Sequence, residues 1–434
     1  MIMAETTTYD TIVIGGGPAG CAYALTMLRR GYRVLLLEKV RFPRFHIGES
    51  FLPYTVEILD QLGLLDAVMA KPYAFKPGVE LTGIAGNARR IDFGEIGDGR
   101  RTWAIQVERA EFDKTLLDET AKAGVTVLEE AAVIDVDVAA DGRVTGVTYT
   151  YDGETHHATA PYLADASGRA GVIAKKLGLR VHDSRLKMAA VFKHYGNLDE
   201  SQNPGVEGDT QLGIHQDGWM WAIPLRADAI SVGAVAPMSI LQSDRPEAVF
   251  DEHLARVPRI QQRLRGATVL RELKGERNFE YHSERLCGPG YFLVGDAGSF
   301  TDPVFSGGVL LALATGRKAG ELAADRLAGN VSDDDATTSY ESFFKTAYGT
   351  YYRLICAVYD NRQPVMGQVI LDMAADLDPK WHVRLVSGDF WTQESPLVNR
   401  LRAEPDWSLF APFDLYPDCP IYPRTADSRT VVPA

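Results

Sequence analysis

The stretch Thr11-Ile-Val-Ile14-Gly15-Gly-Gly17-Pro-Ala-Gly20, continued by the small-residue run Cys21 to Leu28 and by Val34-Leu-Leu-Leu37-Glu38, decides the fold. A β-branched run entering glycines and leaving into apolar small residues predicts strand, tight turn and helix, and Val34 to Leu37 predicts a second strand. Gly15 permits the turn, Gly17 lets the backbone approach a pyrophosphate, and Gly20 lets the helix pack closely on the strand. The helix N-terminus attracts the phosphate charge. Glu38 falls at the distance past these glycines expected of a ribose-binding acid, whose charge repels a 2′-phosphate. Residues 9–38 therefore read as one βαβ unit that cradles a dinucleotide.

Working outward, helices are expected at Tyr54 to Leu64 and Arg109 to Ala123, and a hairpin at Val133 to Val138 and Val144 to Tyr149 around Asp141-Gly142. From Arg180 to Gly275 the pattern is largely strand, with one helix near Pro246 to Arg256. The buried-type strand Tyr291 to Val294, followed by Gly295-Asp296, then returns to the first lobe, which the helix Gly308 to Leu327 closes. The implied organisation is a discontinuous nucleotide domain (1–75, 104–180 and 285–335), an inserted sheet domain (76–103 and 181–284), and a C-terminal segment (336–434). In the last segment Tyr340, Phe344, Tyr348 and Tyr352 recur at helical spacing. This reads as a helix core, with a lid over an aromatic substrate as the alternative, and the proline-rich end reads as coil wrapped on the body.

The 434 residues carry 45 basic against 58 acidic side chains, a formal net charge of −13, which argues against a general grip on nucleic acid. The four cysteines lack any spacing that binds zinc, so no metal site is expected. Widely separated cysteines, no membrane span and an N-terminus without a secretory pattern point to a cytoplasmic chain.

Beyond the glycine turn, Leu163-Ala-Asp165-Ala-Ser-Gly168-Arg169, Phe292-Leu-Val-Gly295-Asp296-Ala297 and Val107-Glu-Arg109 resemble the FAD-dependent monooxygenase superfamily of para-hydroxybenzoate hydroxylase-like enzymes. Four further motifs make the chain similar to flavin-dependent halogenases within it. They are Phe42-Pro-Arg44-Phe-His-Ile-Gly48-Glu49-Ser50, Tyr73-Ala-Phe-Lys76-Pro-Gly78, Trp219-Met-Trp221-Ala-Ile223-Pro224 and Asp302-Pro-Val-Phe305-Ser306-Gly307-Gly308-Val309. The resemblance is to the branch acting on phenols and pyrroles, many of them carrier-bound. It implies an α/β FAD-binding Rossmann-like fold with an inserted antiparallel sheet domain and a helical C-terminal segment. It also implies FADH2 from a separate flavin reductase, and chloride or bromide converted through a flavin hydroperoxide to hypohalous acid. The aromatic substrate would be free or held on an acyl or peptidyl carrier protein.

The resemblance also assigns residues. Gly15, Gly17, Gly20, Glu38, Glu49, Ser50, Arg109, Asp165, Asp296 and Gly308 would hold FAD. Ser306, Gly307, Gly308 and Val309 would offer amide donors to a halide, the alternative being a plain helix cap. Phe305 replaces the Glu of the tryptophan branch, so a second acidic catalyst does not carry over. Lys76 is the expected catalytic residue, delivering electrophilic halogen either as an ammonium or, if burial lowers its pKa, as an amine. Trp219 and Trp221, two apart on a strand, would wall the organic substrate away from the flavin. His46, His215 and His282 read as isolated structural histidines. The basic run from Arg256 to Arg277 reads as a solvated face, or else as a docking site for an acidic carrier. The rival functions are an FAD hydroxylase or geranylgeranyl-reductase-like oxidoreductase, and a non-catalytic flavin- and carrier-binding protein.

Overall fold

The computed structural model describes residues 6–84, 86–182, 185, 187–198, 207–241, 245–277, 280–360 and 366–423. Its first sheet runs Cys287–Gly288, Tyr291–Leu293, Tyr162–Asp165, Thr11–Ile14, Val34–Glu38, Thr126–Glu129, parallel throughout except at the first pair. Every residue of Thr11–Ile14 and Val34–Glu38 is buried, as a parallel strand covered on both faces requires. The helix Pro18–Arg29 packs against Gly308–Leu327, and glycine makes the approach close. A Cβ on Gly20 would stand 2.0 Å from the Gly15 carbonyl oxygen, and one on Gly316 would stand 2.2 Å from that of Ala19. A four-stranded sheet, Thr7–Thr8, Glu154–Thr159, Val144–Tyr151 and Ala132–Val138, covers the flank.

The second large sheet has seven strands in the order Thr268–Arg277, Met188–Gly196, Ala229–Pro237, Gly218–Arg226, Thr210–His215, Gly78–Thr82, Ala88–Asp92. The sequence pointed to an antiparallel sheet, and one junction departs from that: Gly78–Thr82 joins Thr210–His215 in parallel. The excursion leaves through Ala74–Lys76 and returns through Ala104–Gln106, which pair with each other, so its strands reach the sheet from the far side. Lys76 sits at the foot of that excursion, opposite Ala104.

Two readings are refined. Arg263 is 1% exposed and donates to the Asp209 carbonyl and to Gln211, while Arg259 pairs with Glu80 and Arg256 with Asp217. Arg256 and Arg259 stay exposed beside those acids, as a solvated face requires, whereas Arg263 on the short helix Pro258–Arg263 turns inward. His215 is not isolated either: its Nε2 lies 2.9 Å from Nδ1 of the buried His253. The aromatic stripe is core, with Tyr340, Phe344, Tyr348 and Tyr352 all buried on the helix Asp333–Val358, whose N-terminus Ser332 caps. The tail returns to the body, where the Ile421 carbonyl accepts from Gln61 and the Tyr422 ring meets Tyr54 edge-on. Among the described residues no helix is long and apolar enough to cross a membrane, and the four cysteines are free thiols.

Candidate active site

A cavity of about 500 Å³ runs from the glycine turn, between the two lobes, to the Trp219 and Trp221 rings. Its near end is made by the strand-turn-helix unit. Gly15 adopts φ +109°, and a Cβ there would collide with the Ala166 carbonyl. Gly17 differs, because a Cβ on it meets only an Arg44 guanidinium nitrogen at 3.7 Å. The space in front of Gly17 is therefore open, lies at the N-terminus of Pro18–Arg29, and has a cation beside it, all of which suits a diphosphate. The Glu38 carboxylate accepts the Gly16 amide at 2.8 Å and the Val40 amide at 3.0 Å, and each oxygen keeps a lone pair for a ribose hydroxyl. Gly20 does not line the cavity; it seats the helix behind the turn.

Asp296 lines the middle of the cavity without a side-chain hydrogen-bond partner among the described residues. Burial raises its carboxyl to about 6, against the opposing pull of Arg109, Arg169 and Arg180. An orphaned acid so placed fits the ribityl hydroxyls of a flavin nucleotide. Asp165 does not serve this way. One of its oxygens accepts from the Ser167 amide and hydroxyl, the other from the Ile173 and Ala174 amides, so the carboxylate fastens its own loop and lies outside the cavity lining. Arg109 is likewise largely committed: it grips Asp113 with two nitrogens at 2.8 and 3.0 Å and donates to the Ile47 and Gly48 carbonyls. It holds the 44–50 strap over the cavity, beside Arg44, whose ion pair with the same Asp113 is 3.1 Å long. Glu49 and Ser50 end this strap and both line the cavity; Glu49 lies 2.8 Å from His194. His46, also lining it, is lowered to about 4 by burial and by Arg109.

At the far end the loop after Asp302 turns into the helix Gly308–Leu327. Ser306 takes φ +56°, and its amide bonds the Pro303 carbonyl at 2.9 Å. The Gly307 amide donates to the Tyr351 hydroxyl at 3.2 Å, and a Cβ on Gly307 would strike that ring at 2.6 Å. The four-amide nest expected from sequence is therefore narrower. Ser306 and Gly307 spend their N–H groups on the protein. Gly308 and Val309, in the first helical turn and on the cavity wall, have amides with no acceptor among the described residues. Two free amides at a helix N-terminus suit a small anion. Beneath them the buried Asp302 accepts from the Val304 amide at 3.0 Å and from Tyr359 at 2.8 Å, and burial raises it to about 7. Sequence reasoning missed Arg44, Asp302, Tyr351 and Tyr359; the aromatic periodicity of the long helix was the available signal for the tyrosines.

Trp219 and Trp221 form the cavity's end wall, their ring centres 5.9 Å apart. Each indole nitrogen is tied back, Trp219 to Tyr359 at 2.7 Å and Trp221 to Ser231 at 3.1 Å. Lys76 is not on the cavity surface. It is 1% exposed, and its Nζ donates to Ser50 Oγ at 2.8 Å and to the Phe51 carbonyl at 2.9 Å, with the Phe93 ring 5.4 Å away. Burial lowers its amine to about 7 against the opposing pull of the Asp209 carboxylate. Phe75, its neighbour on the strand, points outward at 54% exposure, and the ring near the amine is that of the buried Phe93.

The arrangement joins a diphosphate cradle, a ribose acid, an unpaired acid at mid-cavity, an anion-ready helix end and a walled-off buried amine. Comparison with known proteins places it. The tryptophan halogenase family matches residues 10–102 and 95–364. A tryptophan 2-halogenase of Chondromyces crocatus is 33% identical over 80% of this chain and 67% of its own length. A 1H-pyrrole-2-carbonyl peptidyl-carrier protein brominase of Pseudoalteromonas luteoviolacea is 32% identical over 76% and 80%. The structure of the myxobacterial chondrochloren halogenase CndH superposes with a TM-score of 0.78 at 30% identity, over 93% of this chain and all of that one. The chain belongs to the tryptophan halogenase family, and is a flavin-dependent halogenase, an enzyme that uses reduced FAD and a halide.

Proposed function

We propose that the protein halogenates an electron-rich phenol or pyrrole ring, with Lys76 delivering the halogen and with the ring presented free or on a carrier protein. The observation that carries this reading is the placement of Lys76, a buried amine outside the cavity lining, held by Ser50 and the Phe51 carbonyl with the Phe93 ring 5.4 Å away.

FAD, when bound and reduced, supplies with dioxygen the oxidising equivalents that make a halide electrophilic. The protein's own residues do the rest. Gly17, Arg44 and Glu38 bind the nucleotide end; Asp296 orients the ribityl chain; the Arg109-held strap keeps the site closed to bulk water. The Gly308 and Val309 amides strip water from the halide and hold it by dipole and hydrogen bond. Trp219 and Trp221 bar an aromatic ring from the cavity, so oxidising equivalents meet halide and not carbon. The Lys76 amine then holds electrophilic halogen against the ring.

The carrier-bound form of the substrate is supported by the pyrrole-carrier brominase among the relatives, and supply of reduced flavin by a separate reductase is part of the same reading. Mass spectrometry of turnovers with a reductase, with and without bromide, over free and carrier-tethered phenols and pyrroles tests it. A bromide-dependent mass increase on one of these supports it; an oxygen increase alone, or no product from any of them, overturns it.

A further inference from the structure

Lys76 is linked to the cavity by a directional chain of hydrogen bonds from residues far apart in sequence. Ser50 Oγ, which receives the Lys76 amine at 2.8 Å, lies 3.0 Å from Thr210 Oγ1. Thr210 donates its hydroxyl to Gln106 Oε1 at 2.8 Å, and Gln106 Nε2 donates to the Gly208 carbonyl at 2.6 Å. A carbonyl cannot donate, so Gly208 fixes which way the Gln106 amide faces, and that orientation propagates. Gln106 presents its oxygen to Thr210; Thr210, having given its proton away, accepts from Ser50; Ser50, having done the same, offers only a lone pair to Lys76. A backbone bridge between Ser50 and Gln106 braces the chain.

The amine's donor count closes on this arrangement. A neutral Lys76 has two N–H groups, and Ser50 Oγ and the Phe51 carbonyl take both. Its lone pair is left in the remaining direction, where no hydrogen-bond donor reaches it among the described residues and the nearby group is the Phe93 ring, its centre 5.4 Å from Nζ. A hydroxyl turned the other way would donate into that lone pair and quench it.

We propose that Thr210 and Gln106 are positioning residues that hold the Ser50 hydroxyl turned away from Lys76, keeping the amine's lone pair unoccupied for electrophilic halogen. This rests on the reading of Lys76 as the delivering amine. Thr210 and Ser50 also line the FAD cavity, so the two hydroxyls are a polar link between that cavity and the enclosed lysine.

The charged groups around Lys76 are few. Asp209, next to Thr210, bears on it and is itself gripped by Arg90, which also pairs with Asp92; Glu49, next to Ser50, faces His194. None of these is altered by Thr210→Val. That variant leaves the Ser50 proton without an acceptor, and it turns to the amine. Donation to the neutral form, together with loss of an acceptor for the charged form, lowers the Lys76 pKa.

The test uses FAD-loaded holoenzyme labelled at lysine Nζ with ¹⁵N. NMR titration should show the Lys76 midpoint falling in Thr210→Val and returning in Thr210→Ser. Steady-state kinetics should show kcat for halogenation falling by about tenfold or more with KM little changed, again rescued by Ser. Gln106→Met serves if Thr210→Val does not fold, and should move the midpoint in the same direction. A parent midpoint in the variant that folds, or a Thr210→Ser enzyme as impaired as Thr210→Val, overturns the proposal. If Lys76→Ala still halogenates, the delivering role of Lys76 fails, whereas the titration still reports whether the hydroxyl chain orients the amine.

Discussion

Trp219 donates its indole N–H to the Tyr359 hydroxyl at 2.7 Å, and that hydroxyl in turn donates to the Asp302 carboxylate at 2.8 Å. The end wall of the cavity is thereby tied to the loop that leads into the free Gly308 and Val309 amides. Tyr359→Phe removes the tie at both ends while keeping the ring. The expected result is normal FAD binding but fewer halogenated products per oxygen consumed, because a loosened indole no longer excludes the arene. A stability loss of about 1–3 kcal/mol from the unsatisfied indole and carboxylate should accompany it, measured by urea unfolding.

Lys76→Met should abolish halogenation by orders of magnitude while flavin reoxidation continues, read by product mass and oxygen uptake. Its pH behaviour is a second check. Burial holds Lys76 protonated in the native state only below about 7, whereas in the unfolded chain it keeps its proton up to the ordinary lysine value of 10.5. Between those values the unfolded state binds more protons, so this group makes the fold more stable as pH rises through that window. The variant should lose that rise in chemical-denaturation profiles between about pH 7 and 10.

Gly17→Val should yield a folded protein that no longer retains FAD. The only atom near its Cβ is the flexible end of Arg44 at 3.7 Å, so the empty protein tolerates the side chain while a diphosphate does not. Retention of stoichiometric flavin absorbance after gel filtration is the result that rejects the cradle.

Asp165→Ala and Asp296→Ala should separate two roles that the motifs merged. Loss of Asp165 strands the amides of Ser167, Ile173 and Ala174 and should cost about 2–4 kcal/mol of stability. Loss of Asp296 removes a half-buried acid that desolvation raises to about 6, so stability should hold or improve while FAD affinity falls. Thermal melts and flavin titration of both variants decide it.

What the sequence makes legible is whatever a short stretch determines alone. Gly15, Gly17, Gly20 and Glu38 belong to one βαβ unit, and their backbone requirements are local, so turn, helix and strand could be placed from residues 9–38. Trp219 and Trp221 share a face because a strand has period two. Asp165 misled because an acid at the end of a buried strand serves equally to bond a ligand or its own loop, and only the positions of Ile173 and Ala174 distinguish the two. The Lys76 environment was beyond reach for a different reason: Ser50, Gln106 and Thr210 come from three separate segments. The basic run was legible as an exposed face, but a charge count does not reveal that one member, Arg263, turns inward to Gln211 and the Asp209 carbonyl. His215 read as isolated because its companion His253 lies on another element.

The strand order of the nucleotide sheet also sets a timetable for synthesis. Tyr162–Asp165 takes its place between Thr11–Ile14 and Tyr291–Leu293, and Gly78–Thr82 waits for Thr210–His215. A chain emerging from the ribosome from its N-terminus thus holds the phosphate turn early, yet lacks Thr210, which bonds the Ser50 hydroxyl beside Lys76, until residue 210 has been made, and the Asp296 side of the pocket until later still. Contacts so distant along the chain form slowly. Flavin retention should therefore require the chain beyond residue 296 to have been made.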